Sequence, residues 1–88
     1  MTPEDFDAAR REGGYGPAKE VSFAPSSRSA EHVHDRESFV YVLAGTFILN
    51  TPDGPVTRGA GETCLLPADV EHAEEAGPDG ATILVARR

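Results

Sequence analysis

His32-Val33-His34-Asp35-Arg36-Glu37-Ser38-Phe39-Val40-Tyr41-Val42-Leu43-Ala44-Gly45 carries two features of extended chain. His32 and His34 are separated by one residue, and on a strand such positions share a face, roughly 6–7 Å apart. Phe39–Leu43 is β-branched and aromatic, the composition of a strand. Ala44-Gly45 reads as an interruption, after which Thr46–Asn50 resumes with Phe47 and Leu49 on one face.

Working outward, the same period recurs. Pro52-Asp53-Gly54 is a turn in which proline fixes φ and glycine accepts positive φ. Val56–Arg58 is a short strand, and Gly59-Ala60-Gly61 turns again. Thr63–Leu66 is a strand closed by Pro67, and His72–Glu75 is another. Pro78-Asp79-Gly80 reads as a further turn into Ala81–Ala86, with Ile83 and Val85 on one face. On the other side, Lys19–Phe23 forms a strand and Ala24–Ala30 (APSSRSA) a loop. Short strands with turn signals every ~8–12 residues, not alternating with long helices, predict an all-β sandwich or barrel.

One helix precedes the strands, expected at about 3–12. Thr2 caps it, Pro3 takes its first position, and Glu4 and Asp5 favour its positive end. Phe6 and Ala9 share a face, and Gly13-Gly14 ends it. This helix is expected to pack on the outside or to reach over a neighbouring subunit. Residues 1–88 are expected to form a single domain, with its barrel at about 18–87.

The chain has 88 residues, with 15 acidic and 8 basic side chains and a net charge of −7. That balance argues against nucleic acid and against anionic membrane surfaces, which select basic patches. The longest apolar run, Phe39 to Ala44, is far short of the ~18–20 residues that span a bilayer. Residues 1–14 show no secretory apolar stretch, so a cytoplasmic location is expected. The single cysteine, Cys64, excludes an internal disulfide and a two-cysteine zinc or redox motif. It sits mid-strand and is expected to be a buried, inert thiol. Phe39 and Tyr41 are assigned to the core in preference to a pocket mouth.

The chain contains three histidines, His32, His34 and His72. Two imidazoles on one strand face can converge on an ion at ~2.0–2.1 Å, and a third from a neighbouring strand would complete a ligand set. A His-x-His is also a common surface pattern, so spacing alone leaves a solvated pair and a metal site open. Glu74 shares parity with His72 and is placed to hydrogen-bond a ligating imidazole or to accept a proton. Glu71, Glu74 and Glu75 together read as a solvated edge, so for Glu74 both readings stay open.

His32 to Gly45 resembles the first conserved motif of the cupin superfamily, G(x)5HxH(x)3–4E(x)6G. Gly61 to His72 resembles the second, G(x)5PxG(x)2H(x)3N. Together the motifs cover roughly residues 32–76. The resemblance implies a small double-stranded β-helix, or jelly-roll, barrel that holds one divalent transition metal on His32, His34 and His72. Four positions depart from the pattern. Ser26 and Asp69 stand where it has glycine, Ser38 stands at the metal-binding glutamate, and Ala76 replaces asparagine. Glu37 lies one residue from the glutamate position, a step that turns a flat strand's side chain to the opposite face. It would reach the ion only through a bulge or loop.

Imidazole donors suit iron, zinc, copper and nickel, with manganese also open; the resemblance puts iron(II) first. Three neutral ligands leave the ion's charge uncompensated and positions free for water, oxygen or substrate. Three functions stay open. The first is a dioxygenase, or an isomerase or cyclase, acting on a small oxygen-bearing substrate that chelates the ion, with Glu37 or Glu74 as proton acceptor. The second is a non-catalytic ligand- or metal-binding module acting through a protein partner. The third is a structural relic with an empty pocket. Edge strands of a short barrel need covering, and cupins are usually dimeric, so a homodimer is expected.

Overall fold

A computed structural model describes residues 1–88. Helix α1 spans Pro3–Glu12, followed by β1 (Lys19–Phe23), β2 (Ser38–Thr51), β3 (Gly54–Gly59), β4 (Thr63–Leu66) and β5 (Ala73–Arg87). All pairings are antiparallel, in the order β1-β5-β2-β3, with β4 added to β2. The result is a small antiparallel β-barrel, the architecture that the motif resemblance implies. No helix is long and apolar enough to cross a membrane.

Two long strands, β2 and β5, form the spine and pair along most of their length. The interruptions expected at Ala44-Gly45 and Pro78-Asp79-Gly80 do not end a strand. Both strands continue through a bend, with register shifts between Val42 and Ala44 and between Gly45 and Phe47. Between Ala76 and Ala81, β5 carries four residues opposite Thr46 alone. Bulged residues flip the side-chain parity, and the core shows it. Val40 and Val42 are buried before the bend, Phe47 and Leu49 after it; Ala76 precedes the bend in β5, and Ala81, Ile83 and Val85 follow it. Both halves of both strands therefore face one interior.

At the bend the backbones touch. Gly45 has φ 75° and Gly80 φ 80°, and a Cβ on Gly45 would lie 2.1 Å from the Gly80 carbonyl oxygen. Here glycine is required by both dihedral and space.

The opposite face carries a second apolar cluster of Phe6, Tyr15, Tyr41 and Ala86, with Phe39, Leu43 and Leu84 against it. Helix α1 supplies Phe6, fully buried, 4.8 Å from the Phe39 ring and 5.6 Å from Tyr41. Phe39 and Tyr41 thus belong to the packing beneath α1, away from the cavity. A capping box starts the helix, Thr2 and Asp5 each receiving the other's backbone N–H. The helix lies on its own sheet, the first of the two placements expected for it.

The segment expected as a loop at 24–30 runs beside β5. Ser26 N–H donates to the Gly77 carbonyl, Ser29 N–H to Glu74, and Arg28 bridges Glu75. This track carries the chain to His32.

Candidate metal centre

His32 and His34 lie outside the regular strands, on extended chain joined to the sheet by one isolated bridge. That bridge pairs His32 with His72, each N–H donating to the other's carbonyl at 2.9 Å. The Asp69 N–H donates to the His34 carbonyl, which fixes the next turn of the path. Two i, i+2 pairs, His32-x-His34 and His72-x-Glu74, therefore meet across one antiparallel bridge. Residues two apart share a face, so four side chains point at one spot. Their potential ligand atoms all lie within 4.8 Å of one another.

The ring orientations are set by the backbone. His32 Nδ1 donates to the Ala30 carbonyl at 2.8 Å, and His72 Nδ1 donates to the Val70 carbonyl at 3.0 Å. A carbonyl oxygen only accepts, so Nδ1 carries the proton and Nε2 is left with a lone pair. Both Nε2 atoms face Glu74 Oε1, at 3.5 Å from His32 and 3.3 Å from His72; His34 Nε2 lies 3.9 Å from the same oxygen. Lone pairs converging on a carboxylate repel unless a cation or proton sits among them. Donors held tetrahedrally at 2.0–2.1 Å from an ion stand about 3.4 Å apart, close to the spacings to Glu74. The residue types, their tautomers and their separations fit a divalent transition metal.

The electrostatics favour a neutral His34. Burial holds the His34 pKa below the ordinary imidazole value, assisted by the Arg87 charge and then by His72 and His32. His72 is 1% exposed, so its ring has little freedom to leave the cluster.

Glu37 is not brought to this point. Its carboxylate pairs with Arg88 Nε at 2.7 Å. The reason is parity: Ser38, buried and lining the cavity, holds the inward position, and its neighbour faces away. The carboxylate of the cluster comes instead from Glu74 on β5. The signal for it was in the sequence, since His72-x-Glu74 repeats the spacing of His32-x-His34.

His32, His34 and Glu74 line the polar part of a cavity of about 120 Å³, while His72, the fourth member of the cluster, is buried and not among its lining residues. Its other walls are apolar, led by Val40, Phe47, Leu49 and Val85, with Ser38 and Arg87 as the remaining polar groups. Cys64 is buried outside this lining and its thiol pKa is raised by burial, as expected of an inert core thiol.

Ser26 and Asp69 explain two departures from the motifs. They are the two non-glycine residues with positive φ, at 56° and 63°. The turns that glycine usually makes are kept, with serine and aspartate in the left-handed region.

An antiparallel barrel with an inward cluster of metal-ligating residue types defines a cupin. The Cupin domain family model matches residues 19–86, and the chain belongs to that family. Protein SchB of Streptomyces halstedii is 43% identical over 49 residues, which cover 54% of this chain and 36% of SchB. A cupin-2 domain containing protein from Shewanella frigidimarina superposes with a TM-score of 0.71 at 27% identity, covering 81% of this chain and 69% of that one. The polyketide cyclase RemF from Streptomyces resistomycificus superposes with a TM-score of 0.67 at 28% identity, covering 80% of this chain and 52% of RemF. The chain thus spans about a third of SchB's length and about half of RemF's.

Proposed function

We propose that this cupin is a metal-dependent enzyme of the isomerase or cyclase type, acting on a small substrate that chelates the ion through two oxygens. The observation that carries the reading is the convergence of three imidazole Nε2 atoms and the Glu74 carboxylate, with His32, His34 and Glu74 on the wall of a largely apolar cavity. The likeness to a polyketide cyclase supports cyclisation over oxygenation.

His32, His34, His72 and Glu74 would hold the ion, with iron(II), zinc, manganese, nickel and copper all suited to such donors. When bound, the metal supplies Lewis acidity toward a chelated carbonyl, which acidifies the adjacent carbon. The chain does the rest. The Ala30 and Val70 carbonyls fix two rings by their Nδ1 protons, so the Nε2 lone pairs are aimed before substrate arrives. Glu74 is the carboxylate that lines the cavity, and it accepts the proton removed from carbon. Val40, Phe47 and Leu49 exclude water and hold the substrate folded, which brings its reacting carbons together. The edges of β3 and β4 lack further strands, which supports a homodimer in solution; light scattering tests it.

The test uses protein purified without added metal or a metal-binding tag. Elemental analysis should find about one transition metal per chain. Linear 1,3-diketones and 3,5-dioxo esters should turn over without dioxygen and only with metal present. Glu74→Gln should lower turnover by about 10²–10⁴-fold, the scale of a lost general base. Oxygen uptake matching turnover would overturn the cyclase reading, and metal-free protein that no divalent ion stabilises would overturn the metal reading.

A further inference from the structure

The chain is acidic, yet three of the four cations that have no carboxylate partner gather at one place. Of eight basic side chains, Arg10 and Arg11 pair with Asp7, Arg28 with Glu75, and Arg88 with Glu37. Arg58 bonds the Thr63 and Thr57 carbonyls. The remaining three, Lys19, Arg36 and Arg87, have no carboxylate within 4.0 Å, and all three line one depression on the barrel surface. That depression shares Val85 and Arg87 with the lining of the metal cavity. Register explains the gathering. Lys19 pairs with Val85 across β1 and β5, Ser38 pairs with Arg87 across β2 and β5, and Arg36 donates to the Arg87 carbonyl at 3.2 Å.

Arg87 is the member that reaches inside. Its Nε donates to Ser38 Oγ at 3.2 Å, and this is the one side-chain bond it makes. Ser38 is 3% exposed and lines the cavity. Its oxygen accepts from Arg87 and it makes no other bond, so its own proton is left to donate. A carboxylate at position 38 would neutralise the guanidinium; a hydroxyl positions it and leaves the charge. A half-buried guanidinium on an apolar wall, with no counter-ion and a fork matched to two oxygens, is a receptor for a planar anion.

We propose that Arg87 and Ser38 form a carboxylate-binding subsite, and that the substrate is a small organic acid with its chelating oxygens at the histidines and its carboxylate at Arg87. Lys19 and Arg36 at the mouth draw the acid in against the protein's overall negative field. The apolar residues that line the cavity beside both groups, Val40, Phe47, Leu49 and Val85 among them, select an organic acid over an inorganic anion. The orientation of the substrate rests on the metal reading above; the anion subsite itself does not.

Zinc-loaded protein is titrated with 3,4-dihydroxybenzoate and with its methyl ester, which share a chelating diol and differ in the charge at the far end. The acid is expected to bind about tenfold or more tightly than the ester, as a charge-assisted pair requires. Arg87→Gln should remove that preference with zinc still bound, and Ser38→Ala should reduce it. Lys19→Gln with Arg36→Gln should slow association of the acid and flatten its salt dependence. In a second arm, benzoate is titrated into metal-free protein and the Arg87 Nε–H is followed by NMR. Its shift should move in the wild type and in a His72→Ala variant. Equal binding of acid and ester, or a preference that survives Arg87→Gln, overturns the subsite. Loss of zinc binding with a persisting benzoate shift overturns the metal reading and leaves the subsite standing.

Discussion

His32 and His72, 40 residues apart in the chain, exchange both of their backbone hydrogen bonds, each at 2.9 Å. This one bridge sets the distance between the two halves of the ligand set. A hydrogen-bonded antiparallel pair holds its Cα atoms about 5.5 Å apart, close enough for side chains on one face to share an ion.

The four ligands should therefore not be equivalent. His72 is buried, with its Nδ1 bonded to Val70, and cannot be replaced by water; His34 has no such backbone anchor among its bonds. Removing metal affinity should follow the order His72→Ala, then His32→Ala, then His34→Ala. Glu74→Gln keeps the three imidazoles and should weaken zinc by about tenfold or more. Competition against a chromogenic chelator measures each. Saturating zinc at about 100 times its dissociation constant adds about 2.7 kcal/mol, about 10–20 °C in Tm for a domain of this size. Equal losses for all four variants would show that the bridge does not rank them.

A second expectation concerns pH. The His34 pKa lies below its ordinary value, by burial first and the Arg87 charge second. A depressed imidazole pKa means that the unfolded chain binds protons, from about pH 6.5 downward, before the folded one does. The stability tied to neutral His34 is thus full above about 6.5 and is lost as the pH falls from there through the folded value. Protonation also removes the ligand lone pairs, so bound metal should be released over the same range. Melting curves of metal-free wild type and His34→Gln between pH 8 and 5 check the first point. The wild type should lose more Tm on acidification than the variant, and parallel profiles would refute the assignment.

Ser26 and Asp69 hold positive φ where the motifs have glycine. An L-residue in the left-handed region carries about 1–2 kcal/mol of strain, less for aspartate than for serine. Ser26→Gly should stabilise the protein by about 0.5–1 kcal/mol, and Asp69→Gly by less, once glycine's larger unfolded entropy is subtracted. Chemical denaturation resolves the difference. A loss of stability in Ser26→Gly would mean that its side chain contributes more than its backbone costs.

Much of the fold was legible because its signals are local. The cap at Thr2 and the period of Phe6 and Ala9 placed α1, the alternation of Val21 and Phe23 placed β1, and an apolar run closed by Pro67 placed β4. What misled was Pro78-Asp79-Gly80. Its chemistry is that of a turn, but the chain uses it to bend a strand that stays paired, and nothing local separates the two outcomes. The histidines were legible as a set because their spacings are short-range. Parity with His72 placed Glu74 beside the ligands as a hydrogen-bond partner or proton acceptor, not as a member of the ligand set. Arg87 was not, because its place beside Ser38 depends on a register between residues 49 apart, which no window of sequence contains. Glu37 illustrates the same limit from the other side. Its place one residue from the motif's glutamate position suggested a ligand, and the single step between it and Ser38 sent it to Arg88.

The bend itself can be tested by separating backbone strain from steric overlap. Gly14 and Gly45 have nearly identical positive φ, 76° and 75°. A Cβ on Gly14 would meet nothing within 4 Å, whereas one on Gly45 would meet Gly80 backbone at 2.1 and 2.9 Å and the Ala81 Cα at 3.1 Å. Gly14→Ala therefore measures the dihedral cost alone, about 1–2 kcal/mol. Gly45→Ala adds the cost of forcing β2 and β5 apart where they cross, about 1–3 kcal/mol or more by the scale of overpacked cores. No rotamer change can relieve it, because the atoms struck are backbone. The strands on both sides of this crossing carry the cavity walls, with Val40 before it and Phe47, Leu49 and Val85 beyond it. Gly45→Ala should thus lower Tm well beyond Gly14→Ala and weaken ligand binding as well, while Gly14→Ala leaves binding intact. If the two substitutions cost the same in denaturant unfolding, the close approach of the strands is not what shapes the barrel.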